Sequence, residues 1–448
     1  MGARHLVQQG TDAEIFRRSC PLVIMGMMFV RCNFIRMLST PLTTQAVICG
    51  GGPAGMMLGF LLARAGVDVV LMEKHKDFFR DFRGDTIHPS TFQLMHELGL
   101  LDEFLKLPHQ EATDLHADMN GVDIHLADFS HLPVARKAVG IMPQWDFLNF
   151  IARQAARYPG FHLLMETKVT GLVKEEGRVR GVEADGPGGT LRIHGDIVVG
   201  TDGRSSDVRR LSGLHVTDTG APIDVLWFRL SRKETDPGQV LGRFENGRIM
   251  VLLGRGDYWQ CAYVIEKGGY DVLRKRGIEE FRKEIAETTP FLKDRVAELV
   301  SWDEIRLLSV VIDHLDVWYC DGLICIGDAA HAMSPIGGVG INLALQDAVA
   351  TANILYPVLA KKEPVTTDIL KRIQKRREFP ARMVQRLQVF IQKGIHARRS
   401  NEKLGKQVPF AFHLFRWVPW LRRIPARLVG LGIRPEHIGT PEMVLTGR

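Results

Sequence analysis

The chain has 448 residues, 45% of them apolar and 24% charged, with a net charge of +7 at neutral pH. That length supports a large core and two or three domains in an ordinary soluble composition. Six cysteines (Cys20, Cys32, Cys49, Cys261, Cys320, Cys325) show no Cys-x-x-Cys pair and no metal-ligand spacing, which excludes a disulfide frame and structural zinc and points to a reducing, cytoplasmic setting. Basic residues gather late in the chain, at Lys371, Arg372, Lys375, Arg376 and Arg377. With no zinc-finger spacing or RNA-recognition motif beside them, they read as a solvated helix face, not as a nucleic-acid surface.

Residues 1–44 come first. Their apolar run at 21–30 is too short to span a bilayer, which takes about 20 residues. Arg31, Asn33 and Arg36 stand where a signal-peptide cleavage site would need small residues, and Asp12 and Glu14 disfavour a mitochondrial-type leader. The segment reads as a disordered or mis-assigned extension, with Met37 a candidate start.

The first folded element is a buried strand over 45–49. A turn at Gly50, Gly51, Gly52, Pro53, Ala54 and Gly55 follows, then a helix over 56–64 that is apolar on nearly every side and closes at Gly66. A second strand over 67–72 ends in Glu73. Strand, glycine turn, helix, strand and acid within about 30 residues is the context of a dinucleotide-binding unit. In that unit Gly50 allows the tight turn, Gly52 lets backbone approach a pyrophosphate, and Gly55 lets helix and strand touch. The helix N-terminus offers N–H groups and a positive dipole to phosphate, and Glu73 accepts hydrogen bonds from a ribose diol.

A mixed stretch continues to about residue 215, with a helix over 145–152, a hairpin at 175–178 and a strand over 196–200 that runs into Thr201, Asp202 and Gly203. From 216 to 310 the chain turns β-rich and aromatic, predicting a sheet-based domain inserted into the first. Trp227, Tyr258, Trp259 and Tyr263 could wall a substrate pocket, although alternating aromatics in a sheet are more often core. The glycines at 186–189 form a plain hairpin turn, so no second dinucleotide turn is present. A buried strand at 322–326 then reaches Gly327, Asp328 and His331. Pro335 and the glycines at 337, 338 and 340 lead into a helix from Ile341, and long basic helices fill 367–398. The fold class is therefore α/β: a Rossmann-like dinucleotide-binding domain (45–215 and 311–366), an inserted β-rich substrate domain (216–310), and C-terminal helices with a tail (367–448).

The nature of the dinucleotide comes from the later motifs. Gly327, Asp328, Ala329, Ala330 and His331, with Pro335 and Gly340, Ile341 and Asn342, resemble the second FAD motif of the single-component flavoprotein monooxygenases of the para-hydroxybenzoate hydroxylase type. The run Thr201, Asp202, Gly203, Arg204 to Arg209 resembles the Asp-Gly motif of the same family. The resemblance covers about residues 45–390. It implies that Glu73, with Lys74 beside it, binds the adenosine ribose, that Asp328 binds the ribityl chain, and that Arg83 lies along the FAD. Gln144 would contact the flavin, Asp202 would serve FAD and nicotinamide, and the segment Pro335, Gly338, Gly340, Ile341, Asn342 would line the ring edge. Arg83 reads alternatively as a surface ion pair with Asp81 or Asp85.

The activity implied is hydroxylation of an aromatic or other electron-rich, lipophilic small molecule. NAD(P)H visits as a transient co-substrate, and O2 reacts through a flavin hydroperoxide. No metal, covalent nucleophile or catalytic triad is expected. His88 follows Arg83 closely enough to approach the ring and titrates in a useful range, yet reads equally as a polar cap before Pro89. Competing readings are a halogenase of the same fold, whose Trp-x-Trp-x-Ile-Pro segment none of the seven tryptophans provides, a flavin-dependent reductase, and a non-catalytic FAD-binding protein. The aromatic and arginine-rich segment 412–425 reads as a packed tail closing the cavity. Its alternative is peripheral contact with a membrane.

Overall fold

Val47, Ile48, Val70, Leu71, Ile197, Val198, Ile324 and Cys325 are all buried. Strands that are apolar at successive positions need cover on both faces, which is the pattern of a largely parallel sheet between layers. The computed structural model describes residues 42–79, 86–237, 241–399 and 407–445. The N-terminal extension and Arg83 lie outside them. The main sheet runs in the order Tyr319–Cys320, Leu323–Cys325, Gly189–Gly200, Leu42–Cys49 (β1), Val69–Met72 (β2), Phe161–Leu164. β1 and β2 pair in parallel from Ala46 opposite Val69 to Cys49 opposite Met72, and β2 pairs in parallel with Phe161–Leu164.

Helix Pro53–Arg64 (α1) crosses from β1 to β2 and is buried from Ala54 through Ala63. Its all-round apolarity follows from its neighbours. It packs on helix Gln144–Ala155 (α2) and on helix Gly340–Ala360 (α3), besides the sheet.

The second sheet runs in the order Arg306–Leu308, Ile223–Ser231, Tyr258–Glu266, Arg248–Gly254, Leu241–Glu245, Asp114–Met119, Val122–Asp128. It therefore draws on chain from both sides of residue 215, with Leu241 opposite His116 in parallel. The strands at 114–128 carry His116, Asp118, Asp123 and His125 in place of the aromatic runs farther on, so composition alone does not join them to this sheet. The two faces of the sheet do different work. Leu226, Phe228, Leu230, Trp259, Cys261 and Tyr263 face a core closed by Phe281 and Ile285 of helix Ile278–Thr288. Val225, Trp227, Ala262 and Val264, on the other face, line a cavity. The register agrees, with Leu226 opposite Tyr263 and Trp227 opposite Ala262. Of the four aromatics expected in this sheet, Trp259 and Tyr263 are core and Trp227 walls the cavity. Tyr258 is half-buried beneath the Arg229 guanidinium, 5.0 Å from the ring centroid.

Helix Thr367–Arg399 (α4) is one long element with Pro380 inside it. Lys371, Arg372 and Lys375 are exposed, as a solvated face requires. Arg377 corrects that reading. It is buried, with its Nε 2.9 Å from Asp347 and an Nη 3.0 Å from Glu436. After α4 come helix Phe410–Trp417 (α5), a 3-10 turn at Pro419–Arg422 and helix Arg423–Gly430 (α6). Phe412 packs toward Met119 and Ile124, and Ala426 packs against Phe129 and Leu132, so the tail is folded onto the second sheet.

Replacing Arg377 by Leu leaves the Asp347 carboxylate buried without its cation and should cost about 3–5 kcal/mol. Lys375→Ala, two residues away and exposed, should stay within about 0.5 kcal/mol. Denaturant midpoints of the two variants measure the difference.

Candidate functional site

The glycine turn shows why each glycine stands where it does. Gly50 has φ +115°, and a Cβ there would lie 2.6 Å from the Thr201 carbonyl oxygen. A Cβ on Gly55 would come within 2.0 Å of the Gly50 oxygen, so this third glycine lets α1 touch β1. Gly52 differs. Its backbone is extended (φ −74°, ψ −178°), and a Cβ would meet only the Thr201 oxygen at 3.8 Å. Nothing within the protein demands glycine at 52, and the space that a side chain would fill opens on the cavity. No side chain caps α1 and no acid sits in its first turn. A helix start that opens on a cavity without a cap suits an anion from outside the chain.

Four strand ends converge on that opening. β1 ends at Gly50, whose N–H donates to Met72 O (2.8 Å). β2 ends at Glu73, which accepts from Gly51 N–H (3.0 Å) and from His75 N–H (3.1 Å), with the His75 ring Nδ1 at 2.5 Å. Strand Gly189–Gly200 ends at Thr201, whose hydroxyl donates to the carbonyls of Cys49 (2.9 Å) and Gly50 (2.8 Å), stitching the two loops together. Asp202 accepts from the Ser206 hydroxyl and from Val208 N–H (3.0 Å), so its carboxylate organises its own loop. Burial raises the Asp202 pKa against the pull of these donors. Strand Leu323–Cys325 ends in the 3-10 turn Gly327–Ala329 that carries Asp328.

That last turn is held from behind. Asp347 of α3, fully buried, accepts from Gly327 N–H (3.1 Å), from the Arg377 Nε–H (2.9 Å), and sits 2.5 Å from His331 Nε2. Burial would raise the Asp347 pKa, but His331 and Arg377 hold it below the ordinary carboxylate range. His331 is thus structural. The next loop turns on Gly337 (φ +79°) and Gly338 (φ +59°). A Cβ on Gly338 would lie 2.1 Å from Thr86 Oγ1, whose hydroxyl donates to Gly338 O (2.8 Å). Asn342 locks the loop in place. Its amide nitrogen donates to Thr86 O (3.1 Å) and Gly338 O (3.3 Å), and its oxygen accepts from His88 N–H (2.8 Å) and Thr91 Oγ1 (2.7 Å).

One continuous cavity of about 1360 Å³ runs from this cradle to the second sheet. That exceeds the roughly 300–1,000 Å³ of a single small-molecule site, leaving room for a dinucleotide and a second molecule. Gly50, Gly52, Pro53, Ala54, Glu73, Lys74, Gln144, Asp202, Asp328, Pro335, Gly338, Gly340 and Ile341 all line it, as does His88. Gly55 and Asn342 do not; both shape the scaffold behind it. Beyond the cradle the walls are Val225, Trp227, Val251, Ala262, Phe412 and Val429, with Phe390 and Ile395 of α4. The four acids that line the cavity (Glu73, Asp202, Asp207, Asp328) are all on the cradle side. Among the described residues the sheet side carries Arg248, Lys393 and Arg398 and no acid.

His88 sits between the two halves. It is buried, and its Nδ1 lies 2.7 Å from the Val429 carbonyl, so that nitrogen carries the hydrogen. Burial lowers the ring's pKa to about 4, although the Val429 and Gly337 carbonyls favour the protonated form. At neutral pH the imidazole is uncharged. The sequence places Thr201 in the Asp-Gly run and Phe412 at the start of a tail that closes the cavity, and both line it; it assigns no role to Asp347 or Val429 and reads Arg377 as solvated. For Asp347 a signal existed, since a lone acid on a helix as apolar as α3 must be paired when buried.

Comparison with known proteins agrees with this geometry. The FAD binding domain family matches residues 43–387. A 6-methylpretetramide 4-monooxygenase of Streptomyces rimosus is 32% identical over 348 residues, spanning 77% of this chain and 83% of that protein. P. aeruginosa PqsL, crystallised with 2-aminobenzoylacetate, superposes with TM-score 0.70 at 21% identity over 82% of this chain and 100% of its own. A myxobacterial chondrochloren halogenase superposes with TM-score 0.69 at 17% identity, over 90% and 100%. The two structural likenesses establish the fold.

Two results are expected at this site. Gly52→Ala should keep the fold and the unfolding midpoint while cutting retained FAD by about tenfold or more, because only the cradle loses space. Gly55→Ala should instead unfold or fail to accumulate, and flavin absorbance per purified chain separates the two. His88 stays neutral in the fold and charges near pH 6.5 when unfolded, so its contribution is complete above about 6.5 and lost as pH falls toward 4. Between pH 6.5 and 4.5 the parent should therefore lose about 2–3 kcal/mol more stability than His88→Gln. Equal pH slopes in denaturant titrations would contradict the neutral, buried ring.

Proposed function

The chain belongs to the FAD binding domain family and is an FAD-dependent oxidoreductase of the monooxygenase class; from that premise we propose that it hydroxylates a lipophilic, electron-rich aromatic molecule at the expense of NAD(P)H and O2. The observation that carries this reading is the single cavity whose one half is a dinucleotide cradle and whose other half is an apolar chamber. The residues present fit FAD. The uncapped start of α1 and the open side of Gly52 would take the pyrophosphate, and Glu73, with Lys74 at its side, the adenosine ribose. Asp328 would take the ribityl hydroxyls, and Gln144 with the loop from Pro335 to Ile341 the ring edge. Arg83 would run along the cofactor, and Asp202 would keep its loop shaped for both FAD and the visiting nicotinamide. Bound FAD supplies the capacity to accept electrons from NAD(P)H and pass them to O2.

The chain's own residues do the rest. Val225, Trp227, Val251 and Ala262 exclude water and offer a flat apolar wall, against which an aromatic ring system loses little freedom on binding. Lys393 and Arg398 on the sheet side, beside an Arg248 already paired with Glu287 (2.6 Å), favour a substrate hydroxyl that carries partial negative charge, which raises the electron density of its ring. His88, buried between the halves and neutral at physiological pH, orients such a hydroxyl by hydrogen bonding; a ring titrating near 4 is too weak a base to hold its proton. Phenols of multi-ring polyketides head the candidates, since the Streptomyces relative is named for a pretetramide.

The test is NAD(P)H oxidation and oxygen uptake by the purified holoenzyme across phenols, quinolones and polyketides, with product mass. The expected outcome is substrate-dependent oxygen uptake matched by a product heavier by one oxygen atom. Reduction of the flavin with no oxygen inserted into any substrate, or halide incorporation in its place, would overturn the hydroxylase reading.

A further inference from the structure

Residues 403–435 contain seven basic residues (Lys403, Lys406, Arg416, Arg422, Arg423, Arg427, Arg434) and no acidic one. From residue 407 onward the folded tail has two sides. Phe412 and Val429 turn inward and wall the cavity, while Ala426 packs on Phe129 and Leu132. Facing outward, Trp417 is 66% exposed, Trp420 60%, Ile424 50% and Leu428 40%. Positions 420, 424 and 428 follow helical spacing along the outer side of α6 and the turn before it. They share one shallow depression with Arg423 and Arg427, both exposed. Arg422 points the other way. Its Nε donates to Phe415 O (2.8 Å) and an Nη lies 3.1 Å from His125 Nδ1, anchoring the tail to the second sheet.

Two tryptophans and two aliphatic side chains exposed together on one short segment mark a surface that something covers. The chemistry selects the occupant. Tryptophan prefers the level of lipid headgroups, aliphatic side chains reach the acyl boundary below it, and arginines at the same height meet anionic headgroups while their stems stay in contact with apolar surface. A second copy of this chain fits poorly, because a two-fold contact through this face sets Arg423 and Arg427 against their own equivalents. A nucleic acid would leave Ile424 and Leu428 uncovered. We propose that the outer face of α6 and the preceding turn, with Trp417 at the end of α5, docks the enzyme on an anionic lipid bilayer through Trp417, Trp420, Ile424 and Leu428, with Arg423 and Arg427 binding the headgroups. The docking stands independently of the reaction; its value to the enzyme rests on the lipophilic substrate proposed above, because the wall between bilayer and chamber is then this one segment.

Flotation of the full-length holoenzyme with phosphatidylcholine vesicles, with and without phosphatidylglycerol, tests this, with tryptophan emission read in parallel. Binding is expected only with phosphatidylglycerol, with a blue-shifted emission and loss at high salt. Trp420→Ala combined with Ile424→Ser should reduce the bound fraction about tenfold. Arg423→Glu combined with Arg427→Glu should remove binding to the phosphatidylglycerol vesicles. Both variants should retain FAD and parental NAD(P)H oxidation, which shows that they fold. Equal binding by parent and variants would overturn the proposal, as would no binding by the parent. So would self-association of the parent that Trp420→Ala abolishes, because it would assign the face to a second copy.

Discussion

Much of this structure hangs on one buried carboxylate. Asp347 has no exposed surface, yet three donors from two other parts of the chain meet on it: the Gly327 backbone N–H, the ring of His331 and the guanidinium of Arg377. Arg377 in turn reaches Glu436 near the C-terminus, whose own N–H donates to the Gln346 side chain. An ion inside a protein is tolerated only when its partners replace water almost completely, so this cluster forms with all its members or is costly. Through it the turn bearing Asp328, helix α3, helix α4 and the segment after α6 are set relative to one another. The cofactor half of the cavity and the tail that walls its other half share one fastening.

The acids of the cavity are confined to its cradle half, where Lys74, Lys168 and Arg204 also stand. Acids occupy the cradle, where a ligand's hydroxyls need acceptors and where the free N–H groups of α1 already supply the positive end. Cations and apolar groups occupy the sheet side. The acceptors of the cradle suit the hydroxyl-bearing middle of a dinucleotide, and the apolar side leaves room for a flat ring at one of its ends. His88 at the junction is kept neutral by burial, so no net charge is placed where the two molecules would meet.

How far this could be read from the sequence depends on what each residue type answers to. The glycine turn was legible because backbone geometry restricts the choice: Gly50 stands at positive φ, and Gly55 has no room for a Cβ. The apolar strands, the hairpin turn at 186–189 and the acid after β2 were legible for similarly local reasons. Arg377 was not, since its partners lie 30 and 59 positions away and its neighbours on the basic run are solvated. Asn342 shows a subtler limit. Its place in a ligand-binding motif is plain, but only the three-dimensional arrangement reveals that its four hydrogen bonds are spent on the protein. The strands at 114–128 belong to the second sheet through pairing with 241–245, a non-local choice that their mixed polar composition does not announce.

The alternation in the second sheet has an evolutionary side. Along Val225–Phe228 and Cys261–Ile265, every other side chain belongs to the shared core and the ones between belong to the chamber wall. Selection for stability and selection for what the chamber accepts thus act on interleaved but separate sets of positions in the same strands. A lineage can rewrite the wall one residue at a time while the opposite face holds the sheet together, and relatives of this fold can diverge in the molecules they accept faster than in their architecture.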